Sequence, residues 1–331
     1  MHRFLIDALQ CPACGGALRW EVAETAGDRI EMAEAACLAC SARYPVREGI
    51  GLFLTPDLPR NDLWEQAGSR LSQHLAAHPD VARQLMDAPL ASLTPADRFF
   101  RAMALDERGD YAQARAAREA ALPGVYTRAY LNCAQSQVDY VIDQLAGADG
   151  PVVDLASGMG FLVEAMARRL QRPIVATDFS PRVLRRDRRW LESLGLYDRV
   201  SLLAFDARRS PFRDGAVATL TSYLGLANIE EPGPLLDELR RVVSGRFLAV
   251  SHFYPEDDEA NKRAIDQLGL SDLLFRRAAL ARFAAAGWQA SLVNVRAGAA
   301  RPTPASALLG AGIDGLPVAP TTLEWGVIVA Q

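Results

Sequence analysis

The second half of this chain alternates short apolar runs with longer amphipathic stretches, and this alternation constrains the fold most. Apolar runs bounded by turn residues predict strands at residues 151–155, 173–178, 200–205, 216–222 and 247–251. Between two of them, Ser180 followed by Pro181 is a strong helix-start signal. Strands that alternate with helices form parallel sheets. Apolar runs at 288–295 and 325–330 predict a closing antiparallel pair, so we predict an α/β fold with a seven-stranded sheet.

Composition excludes several other classes of protein. The chain has 331 residues, 50% of them hydrophobic and 23% charged, which is typical of a protein with a substantial core and excludes a disordered or collagen-like chain. Residues 1–18 carry Asp7 and have no long apolar run, so we expect no signal peptide. We also expect no membrane span and a cytoplasmic location. The net charge of −4 argues against bulk electrostatic binding of nucleic acid.

Four of the five cysteines form two Cys-x-x-Cys pairs near the start of the chain. Cys11 and Cys14 make the first pair, and Cys37 and Cys40 make the second after a gap of 22 residues. Such pairs can place four thiolates tetrahedrally around one zinc ion, with no open position, so we predict a structural metal site. A redox dithiol or unrelated buried cysteines are the alternatives. The gap predicts a hairpin, and the fifth cysteine, Cys133, is predicted to serve packing.

The first 54 residues resemble a known family of small proteins. The motifs are the run from Leu5 to Gly16, the Cys37–Cys40 pair and the Tyr-Pro-Val-Arg-Glu-Gly-Ile segment at 44–50. Together they are similar to the zinc-ribbon activators of tRNA and release-factor methyltransferases. The resemblance implies a module that binds and stabilises a methyltransferase, here fused to one, and a possible protein partner for the ribbon. We expect metal removal to loosen this ribbon before the sheet unfolds.

Residues 55–136 show helical spacing and no strand alternation. The alanine-rich stretch from Ala112 to Leu122 predicts a helix that stops at Pro123-Gly124. We therefore predict three parts: a zinc-ribbon module at 1–54, a helical linker or cap at 55–136, and a catalytic α/β domain at 137–331.

A carboxylate ends each of three successive predicted strands. Asp154 opens the pattern Asp-x-x-x-Gly-x-Gly, with Gly158 and Gly160 in the first strand-to-helix turn. Asp178 follows 18 residues after Gly160, and Asp206 ends the third strand. Glycines let the backbone approach a ligand closely, and the carboxylate after the second strand can accept hydrogen bonds from both ribose hydroxyls. Asp206 is placed to accept from an adenine amino group.

Residues 137–331 therefore resemble the class I S-adenosylmethionine-dependent methyltransferases, which have a Rossmann-like seven-stranded sheet. The resemblance implies that Gly158 and Gly160 contact S-adenosylmethionine as co-substrate, that Asp178 binds its ribose, and that Asp206 with Ala207 binds its adenine. It also places the cofactor against the other residues of these strand ends, namely Asp154, Ala156, Ser157, Phe179 and Ser222.

Two other functions for the same sheet were considered. A nicotinamide dehydrogenase needs a third glycine, and Val163 occupies its place. A degenerate methyltransferase fold that acts as a non-catalytic interaction scaffold is the alternative from another class. Such a scaffold would not need acids at 154, 178 and 206.

Catalytic residues are expected just beyond the fourth and fifth strands. His252 is the candidate general base, and Tyr223 and Tyr254 are candidates for orienting an acceptor. Phe253 and Tyr254 are predicted to form an apolar wall beside His252. A loop histidine held by a backbone partner is the alternative.

The arginines of one predicted helix bear on the class of methyl acceptor. The helix after Asp178 carries four arginines on one face, which could meet RNA phosphates but is more often a solvated face: Arg182, Arg185, Arg186 and Arg189. A helical cap is better suited to enclosing a small molecule. We predict O- or N-methylation of a small organic molecule, with RNA or protein as alternative substrates, and a specificity loop at 297–324.

Overall fold

The computed structural model of the chain describes residues 1–55, 57, 63–147 and 149–331. In these ranges the strands are β1 Leu18–Ala26, β2 Arg29–Cys37, β3 Arg43–Arg47, β4 Ile50–Leu52, β5 Val152–Leu155, β6 Ile174–Asp178, β7 Val200–Ala204, β8 Val217–Tyr223, β9 Val243–Phe253, β10 Ala290–Ala300 and β11 Thr321–Ala330. The α-helices are α1 Leu63–Ala77, α2 Pro79–Asp87, α3 Pro95–Arg108, α4 Tyr111–Val125, α5 Arg128–Leu145, α6 Phe161–Arg169, α7 Pro181–Ser193, α8 Pro232–Val242, α9 Glu259–Gln267, α10 Ser271–Leu274 and α11 Arg276–Ala285.

The described strands form a single mixed sheet, in the order β1-β2-β3-β4-β7-β6-β5-β8-β9-β11-β10. Its centre is parallel from β7 to β9, and β11 and β10 close it in antiparallel fashion. The α/β fold is therefore confirmed. The prediction of seven strands is wrong, because the sheet among the described residues has eleven.

The four additional strands come from the N-terminal module. β4 pairs in parallel with β7, with Ile50 opposite Leu202 and Leu52 opposite Ala204. β3, β2 and β1 then continue the sheet by antiparallel pairing. Without β4, the outer edge of β7 would leave a row of backbone amides and carbonyls unpaired, which is costly for a buried strand. The predicted hairpin between the cysteine pairs is present as β1 and β2.

The hydrophobic core of the module is continuous with that of the sheet. Leu5, Leu9 and Phe53 are buried in the same cluster as Leu203 and Phe205. A second cluster covers the opposite face of the central strands and includes α5, α6 and α7 residues. The N-terminal module is thus built into the sheet rather than attached to its surface.

Helix boundaries follow the local signals with one exception. The Ser180 hydroxyl accepts a hydrogen bond from the Val183 amide at the start of α7, as the sequence predicts. The predicted stop at Pro123-Gly124 is wrong, because α4 continues to Val125. Gly124 lies against Pro95, where a Cβ would come within 2.3 Å of the proline ring. The glycine therefore serves helix packing at this position.

Helices α1 to α4 pack beside the first turn of the sheet domain. A small cluster of Leu71, Leu75 and Leu85 joins α1 to α2, and Arg182 on α7 donates to Glu107 on α3 over 2.7 Å. Helix α5 runs without interruption through residues 136 and 137. None of the helices in the described ranges has the length and apolar character needed to cross a membrane.

The segment between β10 and β11 is shorter than the predicted loop at 297–324. Residues 297–300 belong to β10 and residues 321–324 to β11, which leaves a connection of residues 301–320. This 301–320 loop is held at both ends. The Ser306 hydroxyl and the Leu308 amide donate to the buried Asp97 on α3, and the Val318 amide donates to the buried Asn261 on α9 over 2.8 Å.

Candidate functional site

The turn after β5 has the backbone geometry of a ligand-binding loop. Ala156, Gly158 and Gly160 all have positive φ, at 52°, 53° and 71°. Gly160 is also the N-cap of α6. Left-handed backbone of this kind is easily adopted by glycine, so the chain can turn sharply from β5 into α6.

Asp154 lies at the base of this turn and is almost fully buried. The Thr221 hydroxyl donates to its Oδ1 over 2.7 Å, and its backbone carbonyl accepts from the hydroxyls of Thr177 and Ser157. Burial raises the pKa of Asp154 to about 7. Its side chain therefore joins β5 to β8 beneath the turn.

Asp178 links the end of β6 to the turn. Its Oδ2 accepts from the Gly158 amide over 2.9 Å, and its Oδ1 accepts from the Ser180 amide over 2.9 Å. Asp178 and the adjacent Phe179 are both partly exposed. The structure thus brings the second predicted acid into direct contact with the glycine turn.

Asp206 is also at this edge, but its carboxylate is occupied by a neighbour that sequence reasoning missed. Arg208 donates from Nε to Oδ1 over 3.0 Å and from Nη2 to Oδ2 over 2.7 Å. The third nitrogen of the same guanidinium, Nη1, donates to Glu231 over 2.6 Å. Ala207 is buried beside this pair. No sequence pattern at residues 206, 208 and 231 predicts that Arg208 binds both Asp206 and Glu231.

Ser222 contributes to the shape of the site by joining the end of β8 to the end of β5. Its buried hydroxyl donates to the Leu155 carbonyl over 3.0 Å. The next turn residue, Gly225, approaches Ala156 so closely that a Cβ would lie 2.8 Å from the alanine Cβ. Ser222 and Ala156 therefore bring the ends of β5 and β8 together.

A second arginine supports the glycine turn from below. Arg186 on α7 donates to the Gly158 carbonyl over 2.7 Å and to Asp187 over 2.9 Å. Its predicted place on a solvated or phosphate-binding face is therefore wrong, as the guanidinium is largely buried beneath the turn. Arg182 is engaged by Glu107, whereas Arg185 and Arg189 are exposed.

His252 lies at the end of β9, among aromatic rings. Its ring centroid is 5.0 Å from that of Trp325, 5.9 Å from that of Tyr254 and 6.4 Å from that of Tyr130. Its Nδ1 is buried and has no hydrogen-bond partner among the described residues. Burial lowers the pKa of His252 to about 4, so the imidazole is uncharged at neutral pH.

The predicted wall beside His252 is half wrong. Tyr254 contacts the imidazole, but Phe253 points to the opposite face of the sheet and is buried in the cluster that contains the N-terminal module. Successive strand residues alternate between faces, which separates these two neighbours. Tyr130 and Trp325 take the place predicted for Phe253.

These rings form one side of a pocket that we call the aromatic pocket. It lies between α5, the end of β9 and the 301–320 loop, and its lining includes Tyr126, Tyr130, His252, Tyr254 and Asp314. Tyr223, the remaining candidate, is partly exposed at the end of β8, and burial raises its pKa to about 12. Sequence reasoning did not identify Asp314, which stands in a segment without periodicity.

The four predicted metal ligands converge in the structure. The sulfur atoms of Cys11, Cys14, Cys37 and Cys40 all lie within 4.8 Å of one another. The amides of Ala39 and Cys40 each approach the Cys37 sulfur to 3.4 Å. Donation from the Cys40 amide is the main reason that the pKa of Cys37 is lowered to about 6. Amide donors stabilise thiolates, so the donor set fits a metal ion that prefers sulfur.

Two further residues shape this cysteine cluster. A Cβ at Gly16 would lie 2.9 Å from the Ala39 Cβ and 3.0 Å from the Cys37 sulfur, so only glycine allows the two turns to meet. The Tyr44 hydroxyl lies 3.3 Å from the Cys11 sulfur. The fifth cysteine, Cys133, is buried in the core next to Gly298, whose Cβ position is 2.9 Å from its sulfur.

Comparison with known families agrees with the geometry of the glycine turn. Residues 152–245 match the family described as "Methyltransferase domain". This range begins at β5 and ends in the first residues of β9, so it contains the glycine turn, Asp178, Asp206 and the end of β8. The prediction of a methyltransferase domain is therefore confirmed for these residues.

Two curated proteins are similar to part of this chain. The demethylmenaquinone methyltransferase of Clavibacter sepedonicus is 39% identical over 92 residues, which is 28% of this chain and 36% of that protein. The enzyme of the same name from Lactiplantibacillus plantarum is 32% identical over 94 residues, covering 28% of this chain and 40% of that protein. The chain thus spans well under half the length of these relatives.

Solved structures are similar at low identity. The YcgJ protein of Bacillus subtilis is 17% identical with a TM-score of 0.47, covering 59% of this chain and 97% of that protein. Geranyl diphosphate C-methyltransferase from Streptomyces coelicolor is 17% identical with a TM-score of 0.44, covering 59% of this chain and 75% of that protein.

Proposed function

We propose that this protein transfers a methyl group from S-adenosylmethionine to a small organic acceptor. The observation that carries the proposal is the match of residues 152–245 to a methyltransferase domain. The matched segment contains the turn in which Gly158 and Gly160 have positive φ and in which the Gly158 amide donates to Asp178. A scaffold that bound no cofactor would not require a glycine turn to be tied to a carboxylate.

The residues at the sheet edge fit the proposed co-substrate. Asp178 is partly exposed and holds the Gly158 amide, so a ribose hydroxyl can reach its carboxylate beside the turn. Asp206 fits an adenine amino group once Arg208 turns away from it. Glu231 already accepts from the same guanidinium, which gives Arg208 a place to remain paired. We assign Asp154, Ala156, Ser157, Phe179, Ala207 and Ser222 to shaping the same site.

S-adenosylmethionine, when bound, supplies an electrophilic methyl group, so the protein must mainly align the acceptor and exclude water. Tyr223 and Tyr254 stand at the ends of β8 and β9, where we propose that they orient the acceptor. His252 is uncharged and can accept a proton from a hydroxyl or ammonium group. Its low pKa makes it a weak base until a bound acceptor changes its surroundings.

For the N-terminal module we propose a structural zinc site. Four sulfur atoms within 4.8 Å of one another, with amide donors at Cys37, match the tetrahedral thiolate sites that zinc prefers. No coordination position would remain for a substrate. In functional terms we propose a metal-binding module at 1–54, a cap at 55–136 and a catalytic domain at 137–331, with α5 crossing the boundary between the last two.

The contacts of the arginines on α7 favour a small acceptor over RNA. Arg182 pairs with Glu107 and Arg186 lies beneath the glycine turn, so only Arg185 and Arg189 remain exposed on the predicted basic face. Two exposed arginines make a weak phosphate-binding surface. A protein acceptor bound through the ribbon is the remaining alternative.

Calorimetric titration with S-adenosylhomocysteine tests the cofactor site. Gly158→Val should abolish binding, because a branched side chain is strained at φ 53° and obstructs the turn. Gly147→Val is the matched control, since no atom lies within 4 Å of the added Cβ and its φ is not positive. Normal affinity in Gly158→Val would place the cofactor elsewhere and remove the basis of the proposal.

A further inference from the structure

The aromatic pocket has walls of a particular chemical character. Tyr126 and Tyr130 are stacked with ring centroids 4.7 Å apart and planes 10° from parallel. The other wall is His252 with Tyr254. Four π systems therefore surround one space, while the Tyr130 ring is fixed edge-on against the fully buried Trp325 at 4.9 Å. Such rings are rigid, since they have two rotatable bonds and are held by neighbours.

A carboxylate stands at the mouth of this pocket. Asp314 Oδ2 accepts a hydrogen bond from the Tyr126 hydroxyl over 2.7 Å, and the Asp314 backbone is held by Thr303. Asp314 is exposed as a residue, but desolvation around its carboxyl group raises its pKa and outweighs the hydrogen bond from Tyr126. Among the described residues no arginine, lysine or histidine lowers that pKa. A cation bound beside Asp314 would therefore favour its ionised form and gain a direct charge interaction.

The lining of the aromatic pocket also contains one arginine. Arg301 also lines the pocket, but its guanidinium donates to the Gly124 carbonyl over 3.3 Å. His252 adds no charge at neutral pH. The lining therefore combines electron-rich ring faces with one acid, Asp314, and one arginine whose guanidinium is hydrogen-bonded to α4.

We infer that the aromatic pocket recognises an ammonium group, with Asp314 as its counter-ion and the rings of Tyr126, Tyr130 and Tyr254 as cation–π partners. Cations are attracted to aromatic faces within about 6 Å of a ring centroid, and a carboxylate beside the rings adds a direct charge interaction. This inference rests on the proposed function for one point only, namely that the bound molecule is the methyl acceptor. The substrate class is then a small amine or another cationic nitrogen compound.

The anchoring of the 301–320 loop supports a built site. The loop carries Asp314 and is fastened to the cap through Asp97 and to α9 through Asn261. Asp314 therefore faces the rings from a segment tied at both sides of the pocket. A loop that was held at one end would not fix a counter-ion in this way.

Choline and its neutral carbon isostere 3,3-dimethylbutan-1-ol are the probes for this inference, titrated calorimetrically into the full chain. Choline should bind at least about fivefold more tightly than the isostere. Asp314→Asn should weaken choline binding about tenfold and leave the isostere unaffected. Asp237→Asn makes the same carboxylate-to-amide change on the exposed face of α8, outside the pocket lining, and should leave choline binding unchanged.

Equal affinity for the two probes would overturn the inference, as would unchanged choline binding in Asp314→Asn. S-adenosylhomocysteine titrated into the same preparations separates this result from the proposed function. Normal cofactor binding without discrimination between probes refutes the ammonium site alone. Discrimination without cofactor binding supports the ammonium site and refutes methyl transfer.

Discussion

Two groups at the sheet edge have pKa values displaced in opposite directions by burial. The pKa of Asp154 is raised to about 7 and that of His252 is lowered to about 4. Both displacements favour the uncharged forms of these two groups. The site also holds charge in two largely buried ion pairs, Asp206 with Arg208 and Asp187 with Arg186.

The pH dependence of stability should report the burial of His252. Its folded pKa lies below the unfolded value of 6.5, so the unfolded chain binds more protons as the pH falls from 6.5 to 4. As the pH falls from 6.5 to 4, the free energy of unfolding of the wild type should therefore decrease relative to that of His252→Asn, by up to about 3 kcal/mol. Below pH 4 the difference between the two proteins should stay constant. Urea unfolding at several pH values measures this.

The comparison with His252→Asn isolates one group. Asp154 contributes in the opposite sense, because its raised pKa makes stability fall as pH rises toward 7. It is present in both proteins and cancels in the difference. Parallel curves for wild type and variant would show that the imidazole is solvated, contrary to the structure.

Asp178 should determine cofactor affinity. We expect Asp178→Ala to weaken S-adenosylhomocysteine binding by about 1.5 to 3 kcal/mol, since it removes a charge-assisted acceptor and frees the Gly158 amide. Asp237→Ala makes the same charge change on the exposed face of α8 and is the control. Equal affinities in the two variants would exclude Asp178 from the cofactor site.

At the scale of elements, the cysteine cluster is connected to the segment that follows Asp206. The Gln10 amide, one residue before Cys11, donates to the Pro211 carbonyl over 2.7 Å, and the Arg213 amide donates to the Ala8 carbonyl over 2.9 Å. Leu9 and Phe212 form the bridge between them. Because β4 also pairs with β7, the expectation that the ribbon loosens independently does not fit this architecture.

Metal removal should therefore weaken cofactor binding as well as the ribbon. We expect chelation, or Cys37→Ser, to lower S-adenosylhomocysteine affinity about three- to tenfold and to give a single unfolding transition. Chelated wild type to which zinc has been returned is the control. Loss of the metal with no change in affinity, and a separate early transition, would show instead that the module is independent.

The 301–320 loop is the second element with a predicted role. Ser306→Ala removes the hydroxyl that donates to the buried Asp97 and caps the Leu309 amide. We expect faster amide hydrogen exchange at 306–318 and a higher acceptor KM, with S-adenosylhomocysteine affinity unchanged. Thr322→Ala, in the first residues of β11, is a hydroxyl deletion outside the loop for comparison. Unchanged exchange would show that Ser306 does not anchor the loop.

For the whole molecule, the sequence predicted what depends on local signals. Strand ends at Asp154, Asp178 and Asp206, the Ser180 cap and the ribbon hairpin all follow from patterns within a few residues. The pairing of β4 with β7 could not be predicted, because Ile50–Leu52 is three residues long and its partner lies far along the chain. The contacts of Arg208 and Asp314 are likewise set by tertiary packing, which leaves no periodic trace.

Transfer of a labelled methyl group decides whether this chain methylates a small molecule. Purified protein would be incubated with methyl-labelled S-adenosylmethionine and a cell extract separated into small-molecule, RNA and protein fractions. We predict that label enters the small-molecule fraction, and that Gly158→Val abolishes this transfer while Gly147→Val does not. Methylation of a small molecule would be contradicted if the label entered only RNA or protein. It would also be contradicted if the wild-type protein transferred no label to any fraction.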